Sequence, residues 1–523
     1  MPALNVAIIG AGPAGCTLAR LLLLRQHSRQ ADDSSPATAQ LRVQVFEAEP
    51  APGTRRQGGT LDLHPSTGLA ALQQAALYDE FLARARFDGE AFRLCDKQLA
   101  SYVRVAGPPQ HRQQHRAPPA GSRGAPEIDR AALRSMLVQA LPDGTVRWGW
   151  RLQTVSEQLS TQQPGVLEPF PPSYSLHFDG NRTLSGFDLV VGADGAWSRV
   201  RPLLAPFSTA GDAGVANPAG PVYSGIAGFR CSISDAARTA PAVFELVNRG
   251  SLFAFSDGKT LMGQQLGDGS IWVSASGVKA EDWVDEQRER ERLHRRPTPP
   301  PQEPAAAAGD GKEQQHHHHH HRLPQDRNHV GAWFKDAVRA EYKGWAPELL
   351  QLVDAAEDSA RLLPIYMLPP GFRWRTRPGL TLIGDAAHLT VPFAGEGVNI
   401  ALKDALELSR AIIAALSSGG PADDIDGRGD QQRVVDVATE ELRSKRKALA
   451  AKVAEYEHDM FSRAHAVQSV SVGMMRAMFF TPGAPRSSIE AYVCWKAWQM
   501  QPLLYPLVFV VVHIYFAVWK LFN

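Results

Sequence analysis

The chain is poor in cysteine and has almost no excess of charge, and each shortage excludes classes of protein. Its 523 residues include only four cysteines, which are Cys16, Cys95, Cys231 and Cys494. Their wide spacing fits neither a disulfide framework nor a metal-binding pair, so we expect a reducing, intracellular compartment and no metal site. Lysine and arginine number 55 against 54 acidic residues, a net charge of +1. So small a net charge predicts no nucleic-acid partner.

Targeting signals and catalytic side-chain sets are also missing from the sequence. An apolar strand begins within a few residues of the amino terminus, which predicts that no cleaved signal peptide is present. No Ser-His-Asp arrangement or paired carboxylate set stands out, so we expect a bound cofactor, and no catalytic side chain, to carry the chemistry. His64 and His388 stand alone beside turns and are interpreted as structural hydrogen-bond donors rather than acid-base catalysts.

A glycine-rich turn follows the first strand. The apolar residues 5–9 run into Gly10, Gly12 and Gly15, and a helical segment follows at 16–24. A strand, GxGxxG turn and helix in this order favour a dinucleotide whose pyrophosphate lies on the helix start. A second strand at 41–46 ends at Glu47, the expected acceptor for a ribose hydroxyl, and a polar stretch delays its arrival. The alternative is a tight turn that arose by chance.

The segment 382–399, with sequence LIGDAAHLTVPFAGEGVN, predicts a second part of a cofactor site. A glycine lets the chain turn after a short strand, and the next residue offers a carboxylate to a polyol hydroxyl. A proline then stiffens the loop, and two glycines leave backbone N–H groups uncovered at a helix start, which attracts the negative charge of a reduced flavin. The alternative is an ordinary buried turn. The residues predicted to form this part are Asp385, Pro392, Gly395, Gly397 and Asn399.

Three further segments carry a family resemblance. They are GGTLDLH at 58–64, PEIDR at 126–130 with Arg134, and GADG at 192–195 with Ser198 and Arg199. Together with the two glycine turns, in this order, they resemble the class A flavin monooxygenases, and the motifs are most similar to those of the tetracycline-inactivating branch. The resemblance covers residues 5 to about 405.

The resemblance implies particular cofactor contacts. It assigns FAD contacts to Asp62, Arg134 and Asp385, places Asp194 near the FAD and nicotinamide paths, and makes Arg55 a candidate for binding NADPH. From the residues alone, Arg134 could instead be a charge on a helix surface, Arg55 a solvated charge and Asp62 an exposed acid. The resemblance also implies that NADPH or NADH reduces the FAD, that O2 adds to it at C4a, and that the hydroperoxyflavin transfers one oxygen atom to the substrate.

The pattern of elements predicts an α/β fold. We expect a Rossmann-like FAD-binding domain, with a parallel sheet and helices, from residues 1–205 and 376–425, an antiparallel-sheet substrate domain at 206–375 and C-terminal helices at 426–500. An insertion at 285–329, which contains six consecutive histidines, predicts a disordered loop apart from the active site. Strands of the substrate domain are predicted at 243–246, 252–255, 261–266 and 271–275.

The predicted substrate sheet is apolar where the tetracycline-inactivating enzymes present Arg and His to their drug. The corresponding hairpins here have the sequences SLFAF at 251–255 and LMGQQ at 261–265. This difference predicts an apolar or aromatic substrate, while the alternative is that these are simply core strands.

The carboxyl end is strongly apolar. Residues 503–519, LLYPLVFVVVHIYFAVW, are slightly shorter than a full membrane span but within the usual range. With the nearby aromatic residues and Lys520, the segment 503–520 predicts membrane association as a candidate transmembrane helix. The alternatives are a terminal helix packed on the protein and a hydrophobic dimer contact.

Three functional hypotheses follow. The leading one is an FAD-dependent, NAD(P)H-consuming monooxygenase that acts on an apolar or aromatic substrate. The second is a flavin-dependent reductase or oxidase of the same fold. The third is a membrane-tethered flavoprotein without turnover.

Overall fold

The computed structural model describes residues 3–522 except for several internal segments, which are 33–40, 55–57, 88, 90, 106–125, 159–171, 205–219, 295–327, 418–430 and 501–503. Two predictions therefore lie outside the described residues, namely the role of Arg55 and the nature of the histidine tract at 316–321.

The elements follow in chain order. The strands are β1 Leu4–Ile9, β2 Leu41–Glu47, β3 Thr60–Asp62, β4 Phe92–Cys95, β5 Ser101–Val105, β6 Glu127–Asp129, β7 Val146–Trp148, β8 Leu152–Gln158, β9 Ser173–Phe178, β10 Arg182–Phe187, β11 Leu189–Gly192, β12 Val222–Ile233, β13 Ser251–Ser256, β14 Lys259–Gln265, β15 Ile271–Val278, β16 His329–Gly331, β17 Ser359–Met367 and β18 Leu380–Leu382. The helices are α1 Pro13–Asp32, α2 Ala70–Gln74, α3 Tyr78–Leu82, α4 Arg130–Gln139, α5 Ala236–Thr239, α6 Pro241–Val247, α7 Trp283–His294, α8 Trp333–Glu341, α9 Pro347–Asp354, α10 Asp385–His388, α11 Gly397–Ser417, α12 Gln431–Met475, α13 Ile489–Met500 and α14 Tyr505–Phe522.

A five-stranded parallel sheet forms the first core. Its strand order is β18-β11-β1-β2-β7, and every neighbouring pair is parallel. The central strands are apolar on both faces, which a sheet covered by helices on both sides requires. Buried residues of α1, α11 and α12 pack into the same cluster. This arrangement confirms the predicted Rossmann-like parallel sheet with helices.

An eight-stranded sheet forms the second core. Its strand order is β16-β17-β12-β15-β14-β13-β4-β5, and all pairs are antiparallel except β13 with β4. Helices α8 and α9 pack on one face through buried apolar residues. The strands predicted at 252–255, 261–266 and 271–275 are present in it. Two smaller sheets, β10-β9-β8 and β3-β6, complete the strands.

One predicted strand is wrong. Residues 243–246 lie in the helix α6, Pro241–Val247, and do not form a strand. Pro241 lies in the first helical turn, where its missing N–H costs no hydrogen bond, and Asn248 ends the helix in the left-handed conformation. Val243 and Val247, four residues apart, place their side chains on the buried face.

The apolar carboxyl end forms the helix α14, and a membrane-spanning role for residues 503–520 is not supported. Among the residues that the structure describes, no helix is long and apolar enough to span a bilayer. Val512 and Phe516 are buried against the eight-stranded sheet and α13, and the Trp519 ring lies 4.8 Å from that of Tyr102. Lys520 Nζ forms an ion pair with Glu490 at 2.6 Å. One side of α14 is thus packed on the protein, while Leu507, Ile514 and Leu521 are exposed.

Candidate active site

Four neighbouring strands of the parallel sheet end at one edge, and a predicted site residue lies at each end. Gly10 follows β1, Glu47 ends β2, Asp194 follows β11 and Asp385 follows β18. Because these strands are parallel and adjacent in the order β18-β11-β1-β2, their carboxyl ends meet. The sequence motifs, far apart along the chain, therefore converge on one crevice.

The Gly10–Gly15 turn requires glycine for different reasons at its three positions. A Cβ on Gly10 would lie 2.4 Å from the carbonyl oxygen of Ala193, and Gly10 has a φ of +108°. A Cβ on Gly15 would lie 2.1 Å from the carbonyl oxygen of Gly10. A Cβ on Gly12 would meet no atom within 4 Å, so this side of the turn faces open space. Gly12 therefore leaves the start of α1 uncovered, where an anionic group binds favourably.

Glu47 and Arg134 form hydrogen bonds with the backbone of this turn. Glu47 accepts the N–H of Ala11 at 2.7 Å and the N–H of Glu49 at 2.9 Å, one on each carboxylate oxygen. Arg134 Nε donates to the carbonyl oxygen of Ala11 at 3.1 Å, and its Nη1 donates to both Glu49 oxygens at 2.9 and 3.1 Å. Arg134 is buried, which excludes the alternative of a charge on a helix surface. Each Glu47 oxygen keeps a lone pair for a ribose hydroxyl.

Arg201 joins two loops of the crevice, and sequence reasoning missed it. Asp194 Oδ2 accepts the N–H of Arg199 at 2.7 Å, so this carboxylate shapes its own loop, and burial raises its pKa. The buried Arg201 donates from Nη2 to the carbonyl oxygen of Ala196 and from Nη1 to that of Ala386 at 3.0 Å. It thereby ties the loop after β11 to the turn after β18. Its only signal in the sequence is a second arginine two positions after Arg199.

The turn that carries Asp385 is held by a buried charged group. Gly384, with a φ of +61°, donates its N–H to Asp404 Oδ2 at 3.0 Å. The same Asp404 accepts His388 Nε2 at 2.5 Å and, on its other oxygen, Arg463 Nη2 at 3.3 Å. Burial lowers the pKa of His388, but the Asp404 charge outweighs it and the net pKa is raised. Asp385 is exposed while its neighbours in the turn are buried, so its carboxylate is open to a hydroxyl group.

The loop before α11 leaves the start of that helix open. Pro392–Ala394 forms one 3-10 turn, and Gly395 follows with a φ of +74°. A Cβ on Gly395 or on Gly397 would meet no atom within 4 Å. Uncovered N–H groups at a helix start stabilise negative charge, so this opening suits an anionic cofactor edge.

The side-chain amide of Asn399 forms hydrogen bonds with the backbone of the segment around β3. Its Oδ1 accepts the N–H of His64 at 2.9 Å, and its Nδ2 donates to the carbonyl oxygen of Asp62 at 2.8 Å. The buried amide therefore joins α11 to β3. A direct contact of Asn399 with FAD stays a prediction, whereas its positioning of Asp62 is visible.

Asp62 lies among charged groups from three separate parts of the chain. His64 Nδ1 pairs with Glu396 Oε1 at 3.0 Å, and Lys496 Nζ from α13 donates to the carbonyl oxygen of Ala394 at 3.1 Å. The Asp62 side chain is open to solvent although protein surrounds it on most sides, and this enclosure raises its pKa against the opposing charges of Lys496 and His64. The sequence carried no signal for Lys496, which lies far from every motif.

These features fit FAD. Two uncovered helix starts, at Gly12 and Gly397, suit the pyrophosphate and a negatively charged ring edge. The carboxylates of Glu47 and Asp385 suit ribose and ribityl hydroxyls. The crevice and its open glycines define a dinucleotide-binding protein.

Comparisons with known proteins agree with this class. The family described as FAD binding domain matches residues 373–436. Monooxygenase penA of Penicillium thymicola is 28% identical over 420 residues, which cover 78% of this chain and 84% of that protein. A salicylate hydroxylase solved as a substrate complex shares the fold with a TM-score of 0.58, at 17% identity over 98% of both chains. A tetracycline destructase shares it with a TM-score of 0.52, at 13% identity over 98% of both chains.

The chain is similar to the class A flavin monooxygenases. It is an FAD-dependent monooxygenase, and the predicted resemblance, enzyme class and FAD cofactor are confirmed. The two solved structures, both below 25% identity, bear on the fold alone.

Proposed function

We propose that this monooxygenase oxidises NADPH or NADH and inserts one atom of O2 into an apolar or aromatic organic substrate. The observation that supports the choice of substrate is an apolar cluster beside the loop before α11. It combines Ile226 and Phe255 of the eight-stranded sheet, Val391 of that loop, and Met478 and Phe479 after α12. These side chains are buried in the protein, so a substrate would bind along the edge of the cluster.

FAD, when bound and reduced, supplies the activation of O2 and the transfer of one oxygen atom. The chain's part is to bind, to orient and to exclude water. We assign the pyrophosphate to the turn at Gly12, the ribose to Glu47, the ribityl chain to Asp385 and the ring's negative edge to the helix start at Gly397. Arg134 supports the first of these through its bonds to Ala11 and Glu49.

The apolar cluster has a second role in this proposal. Water that reaches the site where O2 is activated favours release of hydrogen peroxide, and the electrons of NADPH or NADH are then lost to that side product. Exclusion of water therefore favours oxygen transfer to the substrate. Phe393 and Phe479, whose ring centroids lie 5.1 Å apart, lie where the loop meets the C-terminal helices and would restrict entry of water.

We also propose that the chain divides into an FAD-binding part, residues 1–205 with 376–425, and a substrate part, residues 206–375. In addition, we propose that Arg55 contacts the pyridine nucleotide.

Isotopic labelling tests the proposal. The FAD-loaded enzyme is given NADPH or NADH under labelled O2 with a library of aromatic and polycyclic apolar compounds. We expect some compounds to accelerate oxidation of the pyridine nucleotide and to gain one labelled oxygen atom, read by mass spectrometry. Product formed without O2, or oxidation that yields only peroxide with every compound, would favour a flavin reductase or oxidase of the same fold instead.

A further inference from the structure

The helix α13 presents two side chains to the loop before α11. Lys496 Nζ donates to the carbonyl oxygen of Ala394 in that loop at 3.1 Å. Tyr492 lies four residues earlier, on the same face of the helix. It packs on a small buried cluster that combines Ala394 with Val470 and Met474 of α12. The Tyr492 ring therefore lies beside the loop that leads to the helix start proposed for the flavin ring.

The Tyr492 hydroxyl group has no hydrogen-bond partner within the part of the chain that the structure describes. Its oxygen is not sealed off by protein atoms, so it adjoins an open space, although the side chain as a whole is only partly exposed. Burial raises the pKa of Tyr492, so the phenol stays protonated and able to donate. A hydrogen-bond donor in so enclosed a place is available to a ligand that supplies an acceptor.

Contacts on both sides of Tyr492 along α13 fix its position. Ser488 Oγ donates to the carbonyl oxygen of Ala477 at 2.6 Å. Trp495 packs on Gly473 of α12, where a Cβ would lie 2.7 Å from the indole ring. With the bond from Lys496, these contacts attach α13 one turn before and one turn after Tyr492. A side chain that its surroundings already hold loses little freedom on binding, so the hydroxyl group is preorganised for a ligand.

The surroundings of Tyr492 are otherwise apolar. Its ring also packs on the apolar cluster proposed above for the substrate, which includes Val391, Met478 and Phe479. Phe393 packs on the same two clusters as Tyr492. A charged ligand group would lose its hydration in such surroundings at a large cost in free energy. A neutral acceptor oxygen on an apolar molecule therefore suits the hydroxyl group best.

We propose that Tyr492 is a specificity-determining residue, which donates a hydrogen bond to a neutral carbonyl or hydroxyl oxygen of the substrate. The inference rests on the proposed function and refines it. The preferred substrate is then an apolar or aromatic compound that already carries one such oxygen atom, and plain hydrocarbons of the same shape bind more weakly.

Paired probes of nearly equal shape test this role. Binding to the full-length, FAD-loaded enzyme is measured by equilibrium dialysis for 9-fluorenone against fluorene, and for 2-naphthol against 2-methylnaphthalene. We expect the wild-type enzyme to prefer the oxygenated member of at least one pair by about threefold to tenfold, the usual contribution of one hydrogen bond. Tyr492→Phe, which removes only the hydroxyl group, should abolish that preference and leave the affinity for the hydrocarbon unchanged.

A control variant and a stability measurement separate recognition from a structural role. Tyr515→Phe removes an exposed phenol of α14 and should keep the wild-type preference. The unfolding midpoint of Tyr492→Phe should not fall, because the lost hydroxyl group has no partner in the described part of the protein. The inference is disproved if the wild-type enzyme shows no preference in either pair, if Tyr492→Phe keeps it, or if that variant loses affinity for both members alike. Because no pyridine nucleotide is added, an enzyme that transfers no oxygen could still show the preference, so the two proposals fail separately.

Discussion

At the scale of single residues, substitutions of Gly10 and Gly12 should have different effects. The first should affect the stability of the fold, and the second should affect FAD binding. Gly10→Ala places a Cβ 2.4 Å from a backbone oxygen at a positive φ, so we expect it to lower the free energy of unfolding by about 2 kcal/mol or more, with or without FAD. Gly12→Ala adds a Cβ in open space, so unfolding of the FAD-free protein should stay unchanged. Its FAD affinity, measured by fluorescence quenching, should fall by about tenfold because the methyl group covers the helix start. Equal FAD affinities of wild type and Gly12→Ala would contradict this use of the turn.

The exposed carboxylate of Asp385 makes a second prediction at this scale. Asp385→Ala removes the acceptor proposed for a ribityl hydroxyl without emptying any buried space, because the side chain is exposed. We expect FAD affinity to fall by roughly tenfold or more, the usual loss for a hydrogen bond to a charged group. Asp143→Ala, in an exposed Pro-Asp-Gly turn, is the matched control and should keep the wild-type FAD spectrum and affinity. An Asp385→Ala protein that purifies with its full FAD complement would show the assignment to be wrong.

The buried pair His388 and Asp404 predicts a pH dependence of stability. Because the folded-state pKa of His388 is raised above its ordinary value of 6.5, the charged pair stabilises fully below about pH 6.5. This contribution is lost as the pH rises through the raised pKa. Asp404→Asn should cost about 3 kcal/mol near pH 6, since it leaves His388 and Arg463 without their carboxylate.

Denaturant unfolding at a series of pH values measures the effect. The wild-type protein should lose stability relative to Asp404→Asn as the pH rises above 6.5, so the two curves converge. Asp143→Asn, an exposed substitution of the same kind, should follow the wild-type curve at every pH. A gap between wild type and Asp404→Asn that stays constant with pH would show that His388 is neutral in the folded protein.

At the scale of elements, the side chains of α14 differ in burial, and we expect their contributions to stability to differ accordingly. Phe516 is 3% exposed and packs in the cluster that holds Ile226 and Phe255, whereas Phe509, seven residues earlier, is 43% exposed. Phe516→Ala should lower the free energy of unfolding by about 3 kcal/mol through lost burial and the cavity left behind. Phe509→Ala should change it by less than about 1 kcal/mol. Thermal or denaturant unfolding measures both, and equal effects would show that α14 is not docked as described.

Some elements could be predicted from neighbouring residues in the sequence, whereas others depend on residues far away along the chain. The β1-turn-α1 unit and the turn after β18 could be predicted because strand, glycine and helix signals lie within a few residues of one another. The apolar run 243–246 is too short to tell strand from helix by periodicity, and the deciding signals, Pro241 and Asn248, lie outside it. Arg201 and Lys496 were missed because their partners, Ala386 and Ala394, lie 185 and 102 residues away. Such roles arise only once distant segments meet in the folded chain.

At the scale of the whole molecule, one helix connects the cofactor sheet to the sheet proposed to bind substrate. The helix α12 contributes Leu449 and Met460 to the core around the parallel sheet. Further along, Val472 and Met475 pack with Ile226 and other residues of the eight-stranded sheet. A continuous helix is stiff over this length, so it fixes the separation of the two sheets and the width of the crevice between them.

The C-terminal helices also reach the crevice, because Lys496 of α13 contacts the loop before α11. We therefore expect Lys496 to affect FAD binding. Burial raises the pKa of Asp62, and the Lys496 charge is the largest influence that lowers it. Lys496→Met removes that charge and the bond to the carbonyl oxygen of Ala394, so Asp62 should stay protonated to a higher pH. We expect FAD affinity at neutral pH to fall about threefold to tenfold, and its dependence on pH to move to higher values.

Lys452→Met provides the comparison, because Lys452 is an exposed lysine of α12 whose ion pair with Glu455 lies within its own helix. FAD titrations of both variants between about pH 5 and 9 cover the range above the ordinary pKa of a carboxyl group, into which a raised pKa moves. A structural role of Lys496 alone would lower FAD affinity by the same factor at every pH. A displaced pH profile, seen for Lys496→Met and not for Lys452→Met, identifies the charge itself as the link, because only a change in the ionisation of Asp62 moves the midpoint. Identical profiles for the two variants would mean that the C-terminal helices support the fold without tuning the cofactor site.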